Sequence, residues 1–210
     1  MDSSDGTKGG KFIVIEGADG CGKTTHAQML CEHLRLANRP TLLVREPGGT
    51  QVGEEIRKIL LDPACRNMSM QTELMLYMAC RGQLVHEVIR PALAEGKFVV
   101  CDRFLLSSVV YQGYACGLGV DLAWTMGKFA VENIRPDVQI VLDAAYDTAR
   151  KRRKAESDRI EARGETFHRK VIEGYLKVAR DLPSTHIVDA NRSIREVQGE
   201  IQRIVDREIG

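Results

Sequence analysis

The 210-residue sequence lacks several features that mark common classes of protein. It has no apolar run long enough to cross a membrane, so we expect no membrane partner. Neither sign of charge dominates, because 30 Lys and Arg face 29 Asp and Glu. A formal net charge of +1 gives no general electrostatic reason to bind nucleic acid. Residues 1–10 are polar and glycine-rich, and we expect a disordered tail there.

The six cysteines include no Cys-x-x-Cys pair and have no histidine cluster to match them. This spacing argues against a zinc site and against the disulfide framework of a secreted protein. Reduced thiols in the cytoplasm are the simpler interpretation. The length suits a single domain with a substantial core.

Five short apolar runs alternate with longer stretches of helical length, at residues 12–15, 41–44, 98–101, 138–142 and 185–188. Their β-branched residues and their separation predict an α/β fold: a five-stranded parallel sheet with helices on both faces. Ligands of such folds gather at the carboxyl ends of the strands. The polar residues that follow these runs are therefore the candidates for a functional site.

The residues that follow the first run form a glycine-rich phosphate-binding loop: Gly17, Ala18, Asp19, Gly20, Cys21, Gly22, Lys23, Thr24 and Thr25. The glycines let backbone N–H groups converge on an anion at the positive end of the next helix. Lys23 would reach the outer phosphates, and the Thr24 hydroxyl would ligate Mg²⁺. The alternative is an ordinary flexible turn, which the preceding strand and the following amphipathic stretch disfavour. The loop predicts binding of a nucleoside triphosphate.

Charged residues follow two other predicted strands. Asp102 comes directly after the third strand, where a carboxylate would lie near the metal, and capping of the helix that starts near Leu105 is its alternative role. Arg45 and Arg103 follow the second and third predicted strands and would face the same crevice, and guanidinium groups suit phosphate oxygens. Pro47 and the two glycines after it predict a tight turn that brings the backbone close to a ligand.

These motifs, together with Ser107-Ser108, Tyr111-Gln112-Gly113 and the Asp-Arg-Ile-Glu segment at 158–161, resemble the bacterial thymidylate kinase family of P-loop nucleoside monophosphate kinases. The resemblance extends from about Lys11 to the C-terminus. It implies transfer of the γ-phosphoryl group of ATP to thymidine monophosphate (dTMP), with Mg²⁺ held by Thr24 and Asp102. It also implies a homodimer packed through helices, to which the apolar stripe at 73–93 would contribute, although that stripe suits a core equally well.

The resemblance further implies the acceptor contacts. Asp19 matches an acid near the acceptor sugar and phosphate, Arg45 and Arg103 match its phosphate-binding arginines, and Tyr111 lies where a tyrosine excludes a ribose 2′-hydroxyl. The positions that match contacts to the base are Tyr77, which would stack on thymine, and Arg81, Ser108 and Gln112, which would hydrogen-bond. Taken alone, either Tyr77 or Tyr111 is more typical of a half-buried core residue.

A mobile lid at about 146–163 is also implied. Arg150, Arg152 and Arg159 match arginines of the lid region, of which one or more would neutralise charge on the transferred group. Gly20 matches relatives that supply a catalytic arginine from the lid. Asp189 matches a loop near the adenine. A basic run on a helix is otherwise typical of a solvated face. The sequence departs from the family at Cys80, at Cys116 and at 154–156, where Lys-Ala-Glu replaces Arg-Gly-Glu.

Two other functions fit parts of the sequence. A nucleoside kinase would need a base for its hydroxyl acceptor, for which Asp19 or Glu16 is available. A regulatory module would bind ATP without transferring phosphate. The paired Arg45 and Arg103 disfavour the first, and the assembled acceptor site disfavours the second.

Overall fold

The computed structural model describes residues 9–152 and 158–209. Within them, five strands form one parallel sheet in the order β2-β3-β1-β4-β5: β1 (Lys11–Gly17), β2 (Thr41–Arg45), β3 (Phe98–Asp102), β4 (Val138–Asp143) and β5 (Thr185–Asp189). The predicted fold is confirmed. Each strand continues one or two residues past its predicted carboxyl end, because Arg45 still pairs with Asp102 and Asp143 with Asp189 in the ladder.

The helices of the described residues are α1 (Lys23–Leu36), α2 (Gln51–Leu61), α3 (Met70–Leu84), α4 (Arg90–Ala94), α5 (Leu105–Ser108), α6 (Val120–Ala130), α7 (Tyr146–Arg152), α8 (Glu165–Ala179) and α9 (Ile194–Ile209). A π-helical segment, Val85–Ile89, joins α3 to α4 directly before Pro91, where a regular helix would lack one N–H donor. A second, Val109–Ala115, continues α5. Thr50 and Ser69 cap α2 and α3 by accepting a backbone hydrogen bond.

The sheet is buried on both faces, as a parallel sheet requires. Side chains alternate along β1, so that Phe12 and Val14 pack against α3, α5 and α8, while Ile13 and Ile15 pack against α1 and α9. The side chains from Phe12 to Ile15 are buried, which accounts for the apolar run at 12–15. The two cores hold the carboxyl ends of β1, β2 and β3 side by side.

Two predicted segments fall partly beyond the described residues. Of the predicted tail, 1–10, residues 1–8 lie outside them. Of the predicted lid, the helix α7 and residues 158–163 are described, and the departure at 154–156 is not. In the part of the chain that the structure describes, no helix combines the length and apolar character needed to cross a membrane. The six cysteines are free thiols.

Candidate active site

A cavity of about 620 Å³ opens at the carboxyl ends of β1, β2 and β3. Its walls come from the phosphate loop and the start of α1, from the segments after β2 and β3, and from α2 and α3. Arg152 of α7, Ile194 of α9 and residues 158, 160 and 161 complete the lining. The topology explains the position, since β1 lies between β3 and β4 in the centre of the sheet.

The phosphate loop turns from β1 into α1 through three glycines with positive φ: Gly17 (139°), Gly20 (84°) and Gly22 (103°). L side chains rarely adopt such angles. Gly22 is the N-cap residue of α1, no side chain caps the helix, and its first turn carries no acidic residue. The backbone N–H groups at this helix start are therefore available to an anion. Lys23 folds across the loop and donates to the Ala18 carbonyl oxygen at 2.8 Å.

Thr24 and Asp102 meet across the strands, where the Thr24 hydroxyl donates to Oδ2 of Asp102 at 2.5 Å. Asp102 does not cap α5. That helix has Phe104 as its N-cap residue, without a side-chain cap, and the N–H groups of Phe104 and Ser107 donate instead to Glu16, at 2.8 and 3.2 Å. The alternative role of Asp102 as a helix cap is thus wrong, because the buried Glu16 satisfies those donors.

Glu16 is fully buried beneath α5. Besides the two backbone donors, its carboxyl group accepts hydrogen bonds from the hydroxyls of Ser107 at 2.6 Å and Tyr175 at 3.0 Å. Burial raises the pKa of this carboxyl group, against the opposing effect of its donors and of Arg103. Its role is structural, and it does not line the cavity.

Arg103, Asp19 and Tyr111 form one cluster in the cavity wall. Arg103 pairs with Asp19 and donates to the Gly17 carbonyl oxygen at 3.1 Å, and its guanidinium group lies 5.2 Å from the centre of the Tyr111 ring. The Tyr111 hydroxyl donates to Asp19 at 2.8 Å, and burial raises its pKa well above the ordinary value, so it stays a neutral donor. Arg103 also has a φ of 71°, an uncommon value that concentrates at functional sites.

Two further arginines face the cavity beside the turn at Pro47. Nη2 of Arg45 donates to both carboxylate oxygens of Glu54, at 3.1 Å to each, and its Nη1 donates to the Pro47 carbonyl oxygen at 2.9 Å. Arg57 of α2 donates to the same carbonyl at 2.7 Å. Burial, and then the neighbouring Arg45, lowers the pKa of Arg57. Arg57 was not among the residues predicted from the sequence, although the cap at Thr50 predicts a helix that carries Glu54 and Arg57 on one face.

The residues predicted to contact a base divide into two groups. Tyr77, Ser108 and Gln112 line the cavity. Arg81 does not: it is buried behind the wall, where it pairs with Glu46 at 2.6 Å and donates to Ser108 at 3.0 Å and to the Phe104 carbonyl oxygen at 3.0 Å. Its guanidinium group is thus fully engaged in holding the wall together.

The three predicted lid arginines differ in whether they line the cavity. Arg152 lines the cavity and donates to the Ala190 carbonyl oxygen after β5, at 3.0 Å. Arg150 is exposed on α7 and outside the cavity lining, while Arg159 is buried and pairs with Glu73 at 2.6 Å. Asp189 accepts from the backbone and side chain of Asn191, also away from the cavity lining. A basic run alone could not predict which of its members turns inward.

This combination of a parallel sheet, a phosphate loop at its central strand and a carboxylate at the end of the neighbouring strand defines a P-loop nucleotide-binding protein. The model of one family, described as thymidylate kinase, matches residues 15–201. The chain belongs to the thymidylate kinase family.

Individual relatives carry the same name. A thymidylate kinase of Symbiobacterium thermophilum is 48% identical over 197 residues, which cover 93% of this chain and 92% of the relative. One from Thermoanaerobacter sp. strain X514 is 46% identical, with 94% and 98% covered. One from Exiguobacterium sibiricum is 40% identical, with 91% and 92% covered.

Proposed function

We propose that this chain transfers the γ-phosphoryl group of ATP to dTMP, giving thymidine diphosphate for the synthesis of thymidine triphosphate. One observation carries the proposal: a single cavity joins a phosphate loop to three arginines, Arg45, Arg57 and Arg103. A protein that only binds ATP has no use for a second group of anion-binding side chains. Family membership supports the same reaction.

The chemistry needs charge neutralisation more than a base. The second pKa of a phosphate monoester is about 6, so the attacking oxygen of the acceptor is mostly deprotonated at neutral pH. Lys23 would hold the donor phosphates, and Arg45 and Arg103 the acceptor phosphate, so that two anions can approach each other. Both carboxyl groups that could serve a nucleoside kinase as a base are engaged, which argues against that function. Glu16 accepts hydrogen bonds from four donors and does not line the cavity, while Asp19 pairs with Arg103 and accepts a hydrogen bond from Tyr111.

The pair formed by Thr24 and Asp102 fits Mg²⁺. A hydroxyl oxygen and a carboxylate oxygen 2.5 Å apart are ligands of the type that Mg²⁺ takes together with water and phosphate oxygens. When bound, the metal would neutralise charge on the phosphates of ATP. Arg152 would act from α7, beside the loop after β5. Arg150 and Arg159 require a different arrangement of the lid segment to take part.

Other residues in and behind the cavity wall would contact the base and the sugar of dTMP. Tyr77 would stack on the thymine ring, and no described residue accepts a hydrogen bond from its hydroxyl. Tyr111, held by Asp19 and Arg103, would lie beneath the sugar and exclude a 2′-hydroxyl. Arg81 would act on the base through Ser108, to which it donates.

We also propose that the chain acts as one domain, in the cytoplasm, and as a homodimer. Met75 of α3 and Leu122 and Phe129 of α6 are 53%, 47% and 89% exposed, an apolar set on two helices that pack together. Sedimentation equilibrium tests the dimer, and a monomer at micromolar concentration contradicts it.

The function is tested by measuring ADP release with a series of nucleosides and nucleoside monophosphates. We expect dTMP to have the highest kcat/KM, followed by other deoxynucleotides with a pyrimidine base. Preference for a nucleoside, or for a ribonucleotide, contradicts the proposal. Binding of ATP with no transfer to any acceptor indicates a regulatory module instead.

A further inference from the structure

Gln112 lies in the wall of the cavity and is almost completely buried. Its Nε2 donates to Oε1 of Glu73 at 2.8 Å. Among the residues that the structure describes, none donates a hydrogen bond to the Oε1 of Gln112. The side-chain amide thus has one N–H bound in the protein, and it has a carbonyl oxygen and a second N–H left for a ligand.

Glu73 determines which way this amide points. It is fully buried on α3, and its other oxygen, Oε2, faces the guanidinium groups of Arg159 at 2.6 Å and Arg163 at 2.7 Å. A carboxylate between two guanidinium groups only accepts hydrogen bonds. If the Gln112 amide rotated by half a turn, its carbonyl oxygen would face this carboxylate and two acceptors would oppose each other without a proton.

The fixed orientation of the Gln112 amide determines which pattern of donors and acceptors a base must present to it. An acceptor oxygen beside a donor N–H complements the imide edge of thymine, where N3–H lies beside a carbonyl oxygen. Cytosine has the opposite pattern, because its N3 is an acceptor and its neighbouring amino group is a donor. Hydrogen-bonding sites discriminate strongly when a mismatch leaves buried polar groups unpaired.

We propose that Glu73 is a specificity-determining positioning residue, which holds the Gln112 amide in the orientation that accepts an imide edge and rejects cytosine. Glu73 acts without touching the substrate. The inference rests on the proposed transfer to a pyrimidine monophosphate and adds the origin of its base selectivity.

The test compares kcat/KM for dTMP, deoxyuridine monophosphate (dUMP) and deoxycytidine monophosphate (dCMP) in the wild type and in Glu73→Gln. The new amide can both donate and accept, so Gln112 becomes free to rotate. We expect the ratio of dTMP to dCMP to fall by about ten-fold or more. The ratio of dTMP to dUMP should stay within about two-fold, because thymine and uracil share the imide edge.

Arg163→Gln is the matched control. It removes a partner from the same carboxylate at Oε2 and leaves the contact of Oε1 with Gln112 in place. We expect this variant to keep the wild-type ratio of dTMP to dCMP. Glu73→Gln leaves two buried guanidinium groups without a carboxylate partner, which could prevent folding. In that case the double variant Glu73→Gln/Arg159→Gln removes one of the two uncompensated positive charges, and the same three kcat/KM values are measured for it.

The outcomes separate the two proposals. If the wild type does not phosphorylate dTMP, the proposed function fails before any variant is made. If the wild type does so, and a folded Glu73 variant loses activity equally on all three substrates with both ratios unchanged, Glu73 is only structural and the inference is overturned.

Discussion

In the phosphate loop, residues 17–25, the anion-binding groups belong mainly to the backbone, whereas beside β2 and β3 they are side chains with carboxylate partners. The N–H groups at the start of α1 have no side-chain cap and no acid in the first turn. By contrast, Arg45 pairs with Glu54 and Arg103 with Asp19. The loop is thus ready for an anion, while on the other side a phosphate must compete with a carboxylate.

The phosphate loop thus provides affinity for phosphate in general, whereas the arginines with carboxylate partners provide selectivity for the acceptor. Backbone N–H groups at a helix start bind any phosphate of suitable size. Arginines held by carboxylates have defined positions, which favour one arrangement of the acceptor over others. Glu54 also reduces the repulsion between Arg45 and Arg57, which donate to the same carbonyl oxygen.

The largest expected effect on activity comes from a substitution in the phosphate loop. Lys23→Ala should lower kcat by about 10³-fold, because it removes the cation that stabilises charge on the donor phosphates. The midpoint of thermal unfolding should change by no more than about 3 °C. Steady-state kinetics and calorimetry check both. Lys11→Ala, which removes an exposed pair with Asp137, is the control and should keep full activity. Comparable activity in both variants would remove Lys23 from the mechanism.

A smaller effect is expected from a substitution among the arginines on the acceptor side of the cavity. Arg57→Ala should raise the KM for dTMP about ten-fold and leave the KM for ATP unchanged, since a cation is lost near the acceptor alone. The adjacent Lys58→Ala removes an exposed pair with Glu55 and should change neither constant. An equal rise of both KM values in Arg57→Ala would mean that the two sides are not independent.

The smallest expected effect is on the pH dependence of the free energy of unfolding, to which His26 of α1 contributes. Burial lowers the pKa of His26 below its ordinary value of 6.5, although Gln198, at 2.9 Å from its Nδ1, opposes the shift. The folded protein binds a proton at this imidazole less readily than the unfolded chain, so the unfolded chain gains it first as the pH falls through 6.5. This contribution to stability is therefore present above that pH and decreases below it.

Urea unfolding of the wild type and of His26→Asn at several pH values between neutral and mildly acidic measures the contribution. We expect the free energy of unfolding to fall less steeply on acidification in the variant. His86→Asn changes an exposed histidine and should follow the wild type. Identical slopes in all three proteins would exclude His26 as a source of the pH dependence.

Sequence patterns predicted local features well. The five apolar runs gave the sheet, because a strand buried on both faces needs continuous apolar sequence. Thr24 and Asp102, which the sequence places at one magnesium site, lie within hydrogen-bond distance of each other. Residues that depend on packing were harder, since Arg57 was missed and Asp102 had an alternative role that the structure assigns to Glu16.

Buried charge was the least predictable feature. Arg81 and Arg159 match base-contacting and lid positions in the sequence pattern, yet both are engaged in buried pairs, with Glu46 and Glu73. No sequence spacing links Arg159 to Glu73, because their contact joins distant segments. Burial requires a charge to find a partner, and only packing determines which partner is near.

The sequence by itself therefore determined the sheet, the phosphate loop and the residues at the strand ends, since these follow from local conformation and from apolar periodicity. The tertiary structure decided which side chains of the acceptor side reach the cavity and which support it from behind. It also decided the orientation of the Gln112 amide, because a rotatable group is set by its hydrogen-bond partner, here the buried Glu73.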